Sequence, residues 1–437
     1  MMANKTYTIT EYGSFLRDKK IDGYVSLPPR VFDKLETFVL ENASKGTEAT
    51  ELMGFSFKKN VGKVITAKNY VGVIALDDGT IIEILPKICG EDDTEEVKKL
   101  LIRMLKSLQN SPFKSMQSTN LDVAKLPVSE IFIRMFITET FAVVKRGLKS
   151  GYETVEDNLT VCKGKIDFSN QIRHNLVHKE KFYVRYDEFN NNRPENKLVK
   201  STLKYLYRFS SSSKNKADLK TLLNVFENVD ESVNYDADFA KCSSDRNSKY
   251  YNTLLMWCKV FLKGKSFTSF AGSEVAYALL FPMETVFESY IAQQLRKIVN
   301  SDEYTVSTQH AEKYLFTNIA TNKNVFKLIP DIVIKNKQNK KLIFIMDTKW
   351  KLLNNNPSAN YGISQADMYQ MYAYQKKYKS QNVTLLYPMT EEIDESAPIS
   401  YKADDNVTVN VRFVNLSDIK TSLENIFEDI TSAENQQ

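Results

Sequence analysis

The chain has 437 residues, 42% hydrophobic and 26% charged, with a net charge of +5 and a pI near 8.6. That length supports several domains with their own cores, and the composition is that of a globular chain rather than a disordered one. A basic excess this small for the length permits nucleic-acid binding without demanding it, and any such contact must come from local patches rather than a uniformly basic surface. No apolar run approaches the roughly 18 residues needed to cross a bilayer, so no membrane span is expected. The opening residues Met1 to Lys5 lead into no apolar h-region, so we expect no secretory signal and a cytoplasmic location. Cys89, Cys162, Cys242 and Cys258 form no C-x-x-C pair, which fits a reducing compartment and offers no zinc site. His174 and His178 stand four apart with no Glu between them and no third ligand in view, and they read as surface histidines.

In chain order, residues 5–90 read as mostly β with one helix. Pro28-Pro29 opens an amphipathic helix over Val31 to Asn42. Short β-rich runs follow at Leu52–Phe57, Lys63–Ala67 and Tyr70–Leu76. Asp77-Asp78-Gly79 is a hairpin connection, because glycine supplies the positive φ it needs. The next strand, Thr80 to Leu85, stops at Pro86. Several short strands with turn signals must bury one face, so a small sheet or barrel is expected.

The acidic run Glu91 to Glu96 places negative charge at the start of a helix over Val97–Leu108, where free N–H groups lie. A second helix is expected from about Val128 to Lys149. Tyr186 to Phe189 ends a short strand, and Asn196 starts a helix to Phe209. Asp187 and Glu188 are a carboxylate pair with no Asp/Glu-x-Lys after them, which reads as structural or interfacial. Ser210 to Lys216 is Ser-rich and reads as a loop. Helices follow at Ala217–Asn228 and Tyr250–Leu262. Gly264-Lys265-Ser266 has the tail of a phosphate-binding loop, but position 259, where the leading glycine belongs, is Lys. The chain is therefore not expected to carry a nucleotide motor of its own.

Glu274 to Ile298 has apolar residues close to helical spacing and contains Phe287-Glu288-Ser289-Tyr290. Two apolar, β-branched runs then flank a polar turn: Leu328 to Ile334, containing Pro330-Asp331, and Leu342 to Lys349, ending in Asp347-Thr348-Lys349. This is a β-hairpin pattern. Residues two apart on a strand share a face, so Asp347 and Lys349 should project together, with Asp331 in reach from the neighbouring strand. Carboxylates and an ammonium converging at a hairpin suit a divalent metal and a water acting on a phosphodiester. Downstream, Ser364 to Tyr374 lacks Gly and Pro and reads as helix, with Gln370 and Tyr374 on one face. Val383–Tyr387 and Val407–Val414 should extend the sheet, and Ser422–Gln437 should be a short helix with a frayed tail.

The order Glu288, Pro330-Asp331, Asp347-x-Lys349, Gln370-x-x-x-Tyr374 resembles the PD-(D/E)xK nuclease superfamily, and the last part resembles its RecB-like members. Tyr70 to Ile74, Ile84-Leu85-Pro86-Lys87-Ile88, Arg146-Gly147-Leu148, Lys163 to Asp167, and Tyr186 to Asn196 are similar to the McrC family, the nuclease subunits of McrBC modification-dependent restriction systems. The resemblance implies three stretches: a β-rich, partner-binding part at 1–95, a mainly helical part at 96–270, and a nuclease domain with a mixed sheet flanked by helices at 271–437. It implies a multidomain α+β and α/β protein that cuts modified double-stranded DNA with a McrB-like AAA+ GTPase hexamer whose hydrolysis it stimulates. Mg²⁺ is the implied cofactor, held by Asp331, Asp347, Glu288 and the carbonyl of Thr348. Lys349 would act on the attacking water, with Gln370 and Tyr374 supporting it or the scissile strand. The other expectation is a nuclease-fold protein whose task is to assemble or activate the AAA+ partner, with cutting weak or lost.

Overall fold

The computed structural model describes residues 5–43, 52–88, 94–108, 112–115, 126–242, 249–263, 275–338, 343–380, 382–389, 393 and 399–432. Residues 91–93 of the acidic run, Cys89, Gly264-Lys265-Ser266, the hairpin turn at 339–342 and the tail at 433–437 lie outside the described residues.

Strands β1 (Thr6–Thr10), β2 (Ser14–Arg17) and β3 (Val25–Leu27) precede helix α1 (Pro29–Ala43). Strands β4 (Met53–Lys58), β5 (Gly62–Ala67), β6 (Tyr70–Leu76) and β7 (Ile81–Leu85) follow, as the turn chemistry predicts. Helices α2 (Thr94–Leu105) and α3 (Val128–Arg146) come next. Then come β8 (Gly151–Leu159), β9 (Lys165–Ile166), α4 (Phe168–Asn175), β10 (Phe182–Asn190), α5 (Pro194–Phe209), α6 (Ser213–Val225), α7 (Tyr235–Lys241) and α8 (Lys249–Lys263). The C-terminal elements begin with β11 (Val275–Pro282), α9 (Met283–Ile298), β12 (Tyr304–Thr308), β13 (Lys313–Asn318), β14 (Lys323–Leu328), β15 (Ile332–Asn336) and β16 (Ile343–Thr348). They end with α10 (Gln365–Tyr378), β17 (Asn382–Pro388), β18 (Ile399–Lys402), β19 (Thr408–Val414) and α11 (Ile419–Ser432).

The chain forms two compact units. One comprises Met1–Thr6, Ile74–Ile81 and Ser115–Leu279; the other comprises Tyr7–Val73, Ile82–Lys114 and Leu280–Gln437. In the first, α3 and α8 bury an aromatic group in which Trp257 stacks on Phe261 at 5.6 Å and lies 6.3 Å from Phe132. Stacked and edge-on rings supply much apolar area at fixed geometry. In the second, β3-β2-β5-β4 form one sheet and β12-β15-β16-β17-β19-β18 form the largest. Pairing in the largest sheet is antiparallel from β12 to β16, parallel through β17 and β19, and antiparallel again to β18. A parallel pair needs a crossover, and α10 provides it between β16 and β17. Val333, Ile345, Met371, Tyr374, Val383 and Leu385 form the core between this helix and the sheet.

Three local expectations are corrected. Residues from Val275 to Pro282 are strand, and the helix starts only at Met283. Ala278, Leu279, Leu280 and Phe281 are all buried, a continuous apolar run that suits a strand covered on both faces, and Pro282 sits at the helix boundary. The Ser-rich stretch is largely helix start rather than loop: Ser212 caps α6 by accepting from the Asn215 backbone N–H. The helical middle stretch also contains a three-stranded antiparallel sheet, β8-β10-β9. Its strands are exposed or half-buried along almost their whole length, so their sequences carry no apolar alternation to announce them.

Candidate active site

The β15–β16 pairing sets Ile332 opposite Met346, which continues to Asp331 beside Asp347. Side chains alternate along a strand, so Asp331 and Asp347 share the face of Val333 and Ile345, the face that α10 covers. Asp331 Oδ2 accepts from both the backbone N–H and the hydroxyl of Thr348, each at 2.8 Å. This fixes the carboxylate that precedes β15 to the end of β16.

Asp347 is buried, and Lys349 Nζ lies 2.5 Å from its Oδ2 as an ion pair. Neither Asp347 oxygen accepts a hydrogen bond of normal geometry among the described residues. The Lys349 backbone N–H donates to the Leu386 carbonyl at 2.9 Å, so the backbone stays tied to β17 just beyond the strand end. Its ammonium also reaches Gln370 Oε1 at 3.4 Å and Asp367 Oδ1 at 3.8 Å. Gln370 Nε2 donates to Tyr374 Oη at 2.7 Å, and Tyr374 donates to the Ile329 carbonyl at 2.9 Å. A relay therefore runs from the ammonium through α10 to the segment carrying Asp331. Ser364 caps α10, which fixes where Asp367, Gln370 and Tyr374 fall on the helix.

Glu288 lies on α9, half-buried, and Gln309 Nε2 donates to its Oε1 at 2.6 Å. Burial pushes its carboxyl up to about 7, with the charges of Asp331 and Asp347 adding to the effect. Asp347 is likewise pushed up to about 7, first by burial and then by Asp331, against the pull of Lys349. Asp331 is raised by burial, although its bonds from Thr348 oppose the shift. Burial lowers Lys349, but Asp347, Asp367 and Asp331 outweigh it and the ammonium is held above its usual range. Negative charge in excess of one lysine is thus gathered in a low-dielectric place, which is what a divalent cation neutralises. The hard oxygens fit Mg²⁺, since among the described residues Asp347 has no hydrogen-bond partner beyond the Lys349 ammonium. Among the described residues, no three His, Cys, Asp or Glu side chains form a metal-holding group by themselves.

A cavity of about 570 Å³ adjoins the lysine and is lined by Lys349, Trp350, Lys351 and Asp367 together with Glu11 and Lys87. Trp350 Nε1 donates to Glu11 at 2.9 and 3.1 Å, and the Lys87 backbone N–H donates to the same carboxylate at 3.1 Å. Trp350 also packs its ring 5.2 Å from that of Phe287, one residue before Glu288.

Asp331, Asp347, Lys349, Gln370 and Tyr374 are brought together by direct contacts, with the Thr348 backbone between them. Glu288 approaches from α9 and its direct partner is Gln309. Sequence reasoning missed Gln309 and Glu11, and passed over Asp367 as a ligand of the ammonium. Asp367 had a signal, since it precedes Gln370 by one helical turn. Gln309 and Glu11 had none, because only the tertiary fold brings them to the site.

A family model of McrBC 5-methylcytosine restriction system components matches residues 65–388. No match to a curated protein was found. The fold is similar to a chain in the refined half-complex from a tetradecameric assembly of Thermococcus gammatolerans McrB AAA+ hexamers with bound McrC. The TM-score is 0.68 at 18% identity, covering 97% of this chain and 100% of that one. A chain of the Thermococcus gammatolerans McrBC complex solved by cryo-EM aligns with a TM-score of 0.48 at 18% identity, covering 68% of this chain and 89% of that one.

Proposed function

The chain belongs to the family of McrBC 5-methylcytosine restriction system components, and from that premise we propose that it is the DNA-cutting subunit of such a system. Its C-terminal part, residues 271–437, is read as a PD-(D/E)xK nuclease domain and residues 1–95 as a partner-binding part. It hydrolyses phosphodiester bonds of methylated double-stranded DNA, in the company of a McrB-like AAA+ GTPase hexamer whose hydrolysis it stimulates. The partner reading is supported by the McrB hexamers and bound McrC of the structure with the similar fold. The observation that carries the chemistry is the buried Asp347 carboxylate, set between Asp331 and the Lys349 ammonium with which it pairs.

In this reading Asp331, Asp347, the Thr348 carbonyl and Glu288 hold Mg²⁺. The bound ion supplies Lewis acidity toward a phosphoryl oxygen and makes a water more acidic. Lys349 orients the attacking water and offsets charge developing on the phosphoryl oxygens. Gln370 and Tyr374 keep the ammonium on the side of Asp347 and restrict its rotamers. Trp350, held by Glu11, forms part of the cavity wall beside the lysine.

The absence of a three-carboxylate group among the described residues favours a second reading, an activator of the AAA+ partner with cutting weak or lost. Against it, Mg²⁺ dehydrates reluctantly and is commonly held by one or two carboxylates and several waters. Plasmid cleavage with Mg²⁺ and the partner separates the two. Asp347→Ala should lower cutting by about 10²–10³-fold or more, the size of losing one preorganised electrostatic group, while leaving stimulation of the partner's GTPase intact. Equal cutting by native and Asp347→Ala protein would remove the site assignment.

A further inference from the structure

Strands β13 and β14 form a two-stranded ribbon that, among the described residues, joins no larger sheet. Residues 313–328 contain Lys313, Lys323 and Lys327 and no Asp or Glu. All three lysines are exposed. The register sets Tyr314 opposite Lys327, Phe316 opposite Val325 and Asn318 opposite Lys323, so Tyr314, Phe316, Lys323 and Lys327 share one face, with Lys313 at the root on the other. Phe316 is 60% exposed, Phe326 70% and Ile319, at the turn, 100%. Phe326 takes φ +57°, rare for a bulky residue, and presents its ring edge-on to that of Phe316 at 6.1 Å. An isolated ribbon that holds apolar rings in water and carries only positive charge is poorly explained by its own stability.

The root of the ribbon belongs to the candidate site. Gln309, which holds Glu288, donates its backbone N–H to the Asp331 carbonyl at 3.0 Å, and His310 donates to the Pro330 carbonyl at 3.2 Å. Tyr378 of α10 bonds the carbonyls of His310 and Leu328 at 2.7 and 3.2 Å, one on each arm. Glu312, the acid at the root, is taken up by His310 and Lys335.

We propose that the β13–β14 ribbon grips double-stranded DNA next to the bond to be cut, with Lys313, Lys323 and Lys327 on phosphates and the Phe316–Phe326 pair and Ile319 entering a groove. The inference rests on the DNA-cutting reading above. A two-stranded ribbon fits the width of the major groove, and apolar side chains can wedge against base steps. A second copy of the chain is the poorer occupant, because related ribbons would set lysine against lysine. The bonds at the root fix this grip relative to Asp331, so the ribbon sets which phosphate reaches the site.

The test is binding of a fluorescent 30-base-pair duplex by the full chain without divalent metal, across a salt series. Changing Lys313, Lys323 and Lys327 together to Gln should flatten the slope of log K against log salt by about 2.7, and lower affinity by roughly 100-fold near 0.1 M salt, as expected for three lost phosphate contacts. Should the triple variant misfold, lysine acetylation of native protein read by mass spectrometry decides the matter, with protection of these three lysines by the duplex as the expected result. Native binding and slope in the triple variant, or no protection, overturns the proposal. So does a changed sedimentation coefficient with unchanged DNA binding, which would assign the ribbon to self-association. If Asp347→Ala still cuts while the triple variant fails to bind, the catalytic reading fails and the ribbon stands.

Discussion

Asp347 and Lys349 could be placed beside each other from the sequence because strand periodicity is a local property: two residues apart on β16 is enough. Asp331 followed because its strand is the next one along the chain. Gln309 could not be found this way, since it sits in a connection at φ +50° and reaches Glu288 only through the tertiary fold. The carboxyl groups carry a pH consequence. Asp347 and Glu288 are both pushed up to about 7, chiefly by burial. A carboxylate must be ionised to take a cation, so at limiting Mg²⁺ the cutting rate should climb with pH to about 7 and then level. Raising Mg²⁺ should move the midpoint to lower pH, because cation binding displaces protons. Initial rates between about pH 5.5 and 8.5 at two Mg²⁺ concentrations check this. A flat profile, or a midpoint indifferent to Mg²⁺, counts against these groups as ligands.

At the scale of elements, what was legible tracks how far each element's burial is written into its own residues. Helix α10 has a capping serine, no breaker and an i, i+4 pair, and it forms where expected. Strand β11 was misread because a continuous apolar run does not distinguish a strand buried on both faces from a helix. Strands β8 and β10 were largely missed because most of their residues are exposed or only half-buried and carry no apolar alternation. The segment between β1 and β2 offers the clearest test of packing. Glu11 is buried under Trp350 and Lys87, and burial pushes its carboxyl from 4.5 to about 7. Between those values the folded state keeps a proton that the unfolded chain has released. The contribution of this group to stability is therefore fully present below about pH 4.5 and lost as pH rises through 7. Glu11→Gln keeps an oxygen for Trp350 and Lys87 but cannot ionise. It should flatten the fall in melting temperature over this window and stabilise the protein by about 1–3 kcal/mol near pH 8. A variant that melts lower than the native chain at pH 8 would show that the carboxylate is better paired than its burial suggests.

The whole molecule was the least legible from the sequence. A division into consecutive stretches is the natural reading of a chain, yet one compact unit draws on Tyr7–Val73, Ile82–Lys114 and Leu280–Gln437. Glu11 and Trp350 meet across 339 positions of sequence. Periodicity and turn chemistry report local structure and say nothing about such returns of the chain. The same interleaving gives the candidate site its back wall: N-terminal residues close the cavity behind a lysine supplied by the C-terminal hairpin. Cutting by this site requires a cation held by Asp331 and Asp347 beside that lysine. Anomalous diffraction from crystals of the full chain soaked in Mn²⁺ measures this most directly. The expected result is a peak within about 2.0–2.3 Å of carboxylate oxygens of both Asp331 and Asp347. Mn²⁺ bound only elsewhere, with Asp347 still paired to Lys349 alone, would contradict it.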